Sequence, residues 1–102
     1  MKKHRVDHTE EAKTDIRQAY IWLAKRSPAA ASRLLDRIDE GIDTLEVFPA
    51  RGPLAPESEF FGEEIRELTI GKYRVLYVID KSTVTILHVR HSSRDYLRPD
   101  PE

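Results

Sequence analysis

Basic and aromatic side chains are concentrated in the C-terminal half of the chain, and they are the residues best suited to chemistry. Arginines and a histidine at this density could hold a phosphate group and stabilise the charge that develops when a phosphodiester bond breaks. The other interpretation is a solvated rim of cations in ion pairs with nearby glutamates, Glu63, Glu64 and Glu67. Both interpretations concern the same residues: Arg66, Lys72, Arg74, His88, Arg90, His91, Arg94 and Tyr96.

Other kinds of chemistry find little support in the residue types. The chain has no cysteine, which excludes disulfides, thiolate metal sites and cysteine nucleophiles. His4 and His8 are too loosely placed to indicate metal ligands, and Ser92-Ser93 lacks the surroundings of an activated nucleophile, so a turn is expected there. We therefore predict no metal and no cofactor.

Composition sets limits on the class of protein. With 102 residues the chain has room for one domain, and 17 Lys and Arg against 18 Asp and Glu give a net charge of −1. A protein that binds nucleic acid by itself usually carries a basic excess. No apolar run approaches the ~20 residues that a membrane span needs, and the basic N-terminus lacks the apolar stretch of a secretory signal. We expect a cytoplasmic protein without membrane contact.

The N-terminal half has the pattern of a short strand followed by two helices. Residues 4–8 alternate as in an edge strand, and Thr9 is a predicted N-cap for a helix of about four turns. Ser27 and Pro28 are the predicted N-cap and first residue of the second helix, which Phe48-Pro49 closes. Because so few residues join the two helices, they should form an antiparallel hairpin.

The C-terminal half is rich in β-branched and aromatic residues. A loop punctuated by glycine and proline, 50–62, precedes three predicted strands at 65–70, 73–79 and 83–90. The order β-α-α-β-β-β predicts an α+β fold, with the helical hairpin packed on one face of a small antiparallel sheet. One domain should span residues 1–98, followed by a frayed tail at 99–102.

The strand at 73–79 is apolar on both of its faces. Val75 and Tyr77 point one way, whereas Leu76 and Val78 point the other way. An antiparallel strand with one face in water should alternate apolar and polar residues. The second apolar face is either part of a two-sided core or a surface kept for a partner protein. Trp22, beside the apolar stripe of the first helix, is likewise a core or a partner contact.

These elements resemble those of the RelE/ParE toxins of type II toxin–antitoxin systems. Tyr-Arg-Val-Leu-Tyr at 73–77 and His-Val-Arg-His at 88–91 are the most recognisable parts, and the resemblance extends over roughly residues 4–94. It implies a bacterial toxin, of the kind linked to plasmid stabilization, that a cognate antitoxin neutralises. The antitoxin would cover the helical hairpin and sheet, with Trp22, Leu76 and Val78 as contacts. Operator DNA would be bound only through the antitoxin.

Members of the family have one of two activities, and the residue types at the site positions help to distinguish them. RelE-like members act as mRNA interferases on the ribosome, and in this sequence Arg74 would stabilise the transition state while His91 would serve as general acid or base. However, Ile65 and Glu67 occupy strand positions where lysines are expected, Ser92 replaces an expected arginine, and Tyr96 matches only with a shift.

These departures favour a ParE-like DNA gyrase inhibitor without catalysis, with the ribosome-dependent endoribonuclease as the alternative. A family member that has lost its toxicity is a third possibility. For the gyrase inhibitor we predict a target-binding rim formed by Arg66, Arg74, Arg90, His91 and Arg94.

Overall fold

A computed structural model describes residues 3–94 and 96–97 of the chain, so the predicted tail at 99–102 lies outside the described residues. The predicted order of helices and strands is confirmed, with one short helix added before the second strand. The elements are β1 (Arg5–His8), α1 (Glu10–Ala24), α2 (Pro28–Asp43), α3 (Glu57–Phe61), β2 (Arg66–Ile70), β3 (Tyr73–Asp80) and β4 (Thr83–His91).

Both long helices begin at the predicted caps. The Thr9 hydroxyl accepts the backbone N–H of Ala12 at 3.0 Å, and the Ser27 hydroxyl accepts that of Ala30 at 3.2 Å. These bonds satisfy N–H groups that have no partner within the first turn of a helix. At its other end α2 stops earlier than the predicted Phe48-Pro49, because the backbone tightens into a 3₁₀ turn at Thr44–Glu46.

The four strands form one sheet in the order β1-β4-β3-β2. β2, β3 and β4 make the predicted antiparallel meander, and Gly71, with φ of +58°, supplies the left-handed residue of the first turn. β1 pairs with β4 in parallel, so the sheet is mixed rather than wholly antiparallel. The α+β class is confirmed. The prediction of a wholly antiparallel sheet is wrong at β1, the strand that is farthest in sequence from the strand it pairs with.

The helical hairpin packs on the inner face of the sheet, where the main core lies. A β-bulge between Leu76 and Tyr77 shifts the register by one residue, so that Ile86 and Val89 both face inward although three positions separate them. The buried residues of this core are Ala12, Ile38, Ile42, Leu45, Leu68, Ile70, Val75, Tyr77, Val84, Ile86 and Val89.

The outer face of the sheet carries a second, smaller core, which the chain supplies itself. Leu76 is only 1 % exposed and packs with Ala55 and Ile65, while Val78, Leu87 and Leu97 lie partly buried around them. The segment 53–55 also pairs with the edge of β2, since the Ala55 N–H donates to the Ile65 carbonyl at 2.7 Å. The expectation of an outer face open to a partner is therefore wrong at Leu76.

The segment 50–62, predicted as a loop, contains the short helix α3. Its ends coincide with the punctuation that indicated a loop: Pro56 is the N-cap, and Gly62 ends the helix with φ of +68°. Tyr77 fixes the start of this segment, because its buried hydroxyl accepts the Gly52 N–H at 3.0 Å and donates to the Pro49 carbonyl at 2.7 Å. Burial raises the pKa of this hydroxyl, which keeps it protonated as the donor.

In the described part of the chain no helix combines the length and apolar character that a membrane crossing requires.

Candidate functional site

The antiparallel hairpin of β3 and β4 brings the predicted cationic strand ends together. Arg74 is the register partner of Arg90, and Tyr73 is the partner of His91. Their adjacency confirms that part of the sequence-based placement. The surroundings of these residues nevertheless differ sharply. Arg74 lies in a buried site, whereas the end of β4 forms an open corner of the sheet.

Arg74 is buried on the outer face and held by two carboxylates. Its Nη1 and Nη2 donate to the two oxygens of Glu57 at 3.0 and 2.7 Å, and its Nε donates to Glu67. The guanidinium carbon also lies 5.3 Å from the centre of the Tyr96 ring. The side chain is only 9 % exposed, so the expectation of an Arg74 available to phosphate at the rim is wrong. We call Glu57, Glu67 and Arg74 the buried triad.

The surroundings favour the charged forms of both Arg74 and Glu57. Hydrogen bonding to Glu57 raises the pKa of Arg74 further above its ordinary value, despite the opposing effect of burial. Burial by itself raises the pKa of Glu57, but the hydrogen bonds from Arg74 and the Leu97 amide, with the charge of Arg74, outweigh it and leave the pKa below its usual range. One cation faces two anions, so the triad carries a net negative charge.

Glu57 is a residue of this site that the sequence did not single out. It belongs to α3, the helix that was predicted as a loop, and its side chain is fully buried. The carboxylate also accepts the backbone N–H of Leu97 at 3.0 Å, which ties the C-terminal segment to the same group. The signal in the sequence was the acidic character of 57–64, but nothing there distinguished Glu57 from its exposed neighbour Glu59.

Arg66 does not join the other predicted rim residues. Its register partner is Tyr77, four positions along β3 from Tyr73, and its Nη1 donates to the Gly52 carbonyl at 2.8 Å. A second contact, to the Ala50 carbonyl, measures 3.4 Å. The position of Arg66 in the rim was therefore predicted wrongly, because its side chain bonds to the segment that crosses the other end of β2.

The open corner lies where β4 ends, beside α1. A groove of about 720 Å³ runs between the helix and the sheet, with an apolar floor that includes Leu23, Tyr73 and Val89. Its rim comprises the cations Lys72, Arg90 and Arg94 together with His91. Arg94 is exposed, whereas Arg90 and His91 are half-buried. Unlike Arg74, these residues line space large enough for a ligand or a peptide.

His91 has a defined orientation at this corner. Its Nδ1 accepts the backbone N–H of Ser93 at 3.1 Å and lies 2.7 Å from the Ser93 hydroxyl, and the Tyr73 ring meets the imidazole edge-on at 5.2 Å. Since Nδ1 is an acceptor, the neutral ring carries its proton on Nε2. The Nε2–H of His91 can therefore donate a hydrogen bond, while Ser92 and Ser93 form the predicted turn.

His88, the other histidine among the basic residues of the C-terminal half, has a structural role. The Nδ1 of His88 lies 3.1 Å from a carboxylate oxygen of Asp15 on α1, and the same oxygen accepts the Val89 N–H at 3.0 Å. β1 pairs with β4 only as far as Ile86, so Asp15 satisfies an N–H on the edge that β1 leaves open. Across the residues with described positions, no group of three or more histidines and acids could hold a metal ion.

Two of the predicted antitoxin contacts have accessible surface. Trp22 is 56 % exposed at the groove, with the Arg26 guanidinium 3.7 Å above its ring. Val78 is half-buried at the margin of the outer core. Leu76, the third, is covered by the chain itself. Large exposed aromatic side chains are frequent in protein interfaces, so Trp22 has the properties expected of such a contact.

Comparison with known proteins identifies the family to which this chain belongs. The family described as "ParE toxin of type II toxin-antitoxin system, parDE" matches residues 6–96. The chain is also 30% identical over 87 residues to Toxin RelE2 of Caulobacter vibrioides, covering 84% of this chain and 92% of that protein. It is 30% identical over 84 residues to Toxin RelE1 of the same organism, covering 78% and 84% respectively.

Solved structures agree with these sequence matches. A chain of the chromosomal ParDE system of P. aeruginosa superposes with a TM-score of 0.70 at 17% identity, covering 87% of this chain and 96% of that one. A chain of the toxin–antitoxin complex RelBE2 of Mycobacterium tuberculosis gives a TM-score of 0.60 at 27% identity, with coverages of 89% and 93%. The chain therefore belongs to the ParE/RelE superfamily of type II toxin–antitoxin toxins, as its sequence motifs predicted.

Proposed function

We propose that this toxin is ParE-like: it inhibits DNA gyrase by binding and does not cut nucleic acid. The observation that supports the proposal is that Arg74 is buried and bonded to two carboxylates. This is the arginine that a RelE-like mechanism would use to stabilise charge on the reacting phosphate, and two carboxylates already neutralise it in a buried position. A transition-state stabiliser must face the place where charge develops. The net negative charge of the triad would instead repel RNA phosphate.

The open corner is the proposed target surface. Arg90 and Arg94 supply cations and His91 a polar ring beside an apolar floor, which is the composition of a polar rim around an interface core. Arg66 and Arg74 are left out of this surface because neither lines the groove: Arg66 bonds to the Gly52 carbonyl, and Arg74 is buried against Glu57.

A cognate antitoxin is the proposed regulator, as for the ParDE and RelBE2 assemblies named above. Trp22 and Val78 are its proposed contacts, since both retain accessible surface. Operator DNA would be bound through the antitoxin, because the toxin itself has no excess of positive charge.

The test compares the two targets with the same purified toxin. We expect loss of gyrase-dependent supercoiling and no cleavage of translated mRNA in primer extension. Arg94→Ala should weaken the inhibition, whereas Arg33→Ala, which removes an exposed arginine on α2, should not. Codon-phased cleavage with intact supercoiling would overturn the proposal.

The second candidate is a ribosome-dependent endoribonuclease, and two observations favour it. Both Caulobacter relatives are named RelE toxins, and His91 lines the groove in an orientation fixed by the bond from the Ser93 N–H to its Nδ1. Under this alternative His91→Ala would abolish mRNA cleavage. Arg74→Lys would abolish it as well while leaving antitoxin binding intact, and that result would require the buried triad to open on the ribosome.

A further inference from the structure

The buried carboxylate of Glu57 makes contacts beyond its ion pair with Arg74. It lies on a helix of only five residues, and its side chain has no exposed surface. Burying a charge is unfavourable unless ionic or hydrogen-bonding partners compensate for it, so each partner of Glu57 contributes to keeping the carboxylate buried. Besides Arg74, the partner is the backbone N–H of Leu97, 40 residues further along the chain.

The two residues at 96–97 contact three separate features of the outer face. The Leu97 amide donates to Glu57 at 3.0 Å, the Leu97 side chain packs against the outer core of Ala55, Ile65 and Leu76, and the Tyr96 ring lies against the Arg74 guanidinium. A charge-assisted hydrogen bond, an apolar contact and a cation–π contact therefore act on two consecutive residues.

We propose that Glu57 and Arg74 are positioning residues that anchor Tyr96 and Leu97 on the outer face of the sheet. Leu97 then completes the outer core that encloses Leu76. Tyr96, 49 % exposed, is held beside the guanidinium as a ready aromatic contact.

This anchor is independent of which target the toxin attacks, so it can fail or succeed apart from the proposed function. The measurement is the solvent-exchange rate of the Leu97 amide by NMR in the full-length chain. In the unaltered toxin we expect exchange at least about ten-fold slower than in an unstructured peptide. Glu57→Gln should remove most of that protection, because the amide loses its ionic acceptor.

The matched control is Glu59→Gln, which removes an exposed carboxylate from the same short helix. It should leave Leu97 exchange unchanged, and the core amides of Val75 and Ile86 should stay protected in both variants. Unprotected Leu97 in the unaltered toxin, or equal exchange in the two variants, would overturn the anchor. Faster exchange in Glu57→Gln that is confined to the Leu97 amide would separate anchoring from a general effect on stability.

Leu97→Ala tests the same proposal without disturbing the buried ion pair, and it decides the matter if Glu57→Gln does not fold. The smaller side chain should shift the methyl resonances of Ile65 and Leu76, while the Arg74 Nε–H signal persists. Unchanged Ile65 and Leu76 resonances would contradict the contact on which the proposal depends.

Discussion

The buried triad and the open corner both contain arginines and lie on adjacent strands, but the chemical surroundings of those arginines are opposite. In the buried triad Arg74 is fixed by two carboxylates, whereas at the open corner Arg94 is exposed beside a groove. The register Arg74↔Arg90 makes them neighbours on the sheet. Adjacency in a sheet therefore does not define a functional cluster, because segments that cross the sheet can bring counter-charges to one position and leave the next open. Arg74 is enclosed by counter-charges, whereas Arg94 is exposed at the corner.

The largest expected effect comes from Arg74→Ala. It leaves the Glu57 carboxylate buried without its cation, and breaking a buried ion pair in this way costs about 3–5 kcal/mol. Urea denaturation of the full chain measures the loss of unfolding free energy. The paired replacement Arg74→Met with Glu57→Leu should recover much of it, because neither charge then remains unpaired. A cost under about 1 kcal/mol for Arg74→Ala would remove the distinction between the two regions.

Glu67→Gln should have a smaller effect within the same triad. Glu67 is partly exposed and binds only the Nε of Arg74, while Glu57 keeps both terminal nitrogens. Solvent screening reduces the contribution of such a partner, so we expect a loss of about 1 kcal/mol. Denaturation of this variant beside Glu57→Gln gives the ranking, and a Glu67 effect equal to that of Glu57 would contradict it.

Acid should weaken the buried triad selectively. The pKa of Glu57 is lower in the folded chain than in the unfolded chain. The stabilisation is therefore present above the unfolded pKa of a glutamate, about 4.3, and is lost as the pH falls through the lower folded pKa. Unfolding free energy measured against pH should decline over that range, and the decline should be shallower in Glu57→Gln. Equal slopes would show that Glu57 is not the group that titrates.

At the open corner, substitutions should barely change stability. Arg94→Ala removes an exposed side chain, for which changes of less than about 0.5 kcal/mol are usual. We expect toxicity to fall while the denaturation midpoint stays constant, the reverse of the result for Arg74. Growth after induction, with soluble expression confirmed, provides the readout. Toxicity unaffected by Arg94→Ala and by His91→Ala would remove the corner from the target surface.

The parts of the fold that could be predicted are those governed by local rules. Thr9 and Ser27 cap their helices because a hydroxyl at that position satisfies N–H groups nearby in sequence. The strand meander follows from short turns between β-rich segments, and it places Arg74 beside Arg90. The resemblance to RelE/ParE toxins was also visible in these strands.

The parts that could not be predicted depend on long-range packing. α3 has five residues, too few to show a helical period, and its ends carry the proline and glycine that also mark loops. Glu57 meets Arg74 only because this helix crosses the outer face, and no spacing rule connects two residues 17 positions apart in such a segment. The same crossing closes Leu76, which the apolar alternation had left open to two interpretations.

The most direct test of the contrast between the two arginines is a phosphate titration followed by NMR of arginine Nε–H groups. Inorganic phosphate should leave the Arg74 signal unmoved, slowly exchanging and bonded to Glu67, while the Arg94 signal shifts or broadens. A phosphate-dependent shift of Arg74, with Arg94 unaffected, would contradict the account and return Arg74 to the role of a phosphate-binding catalytic residue.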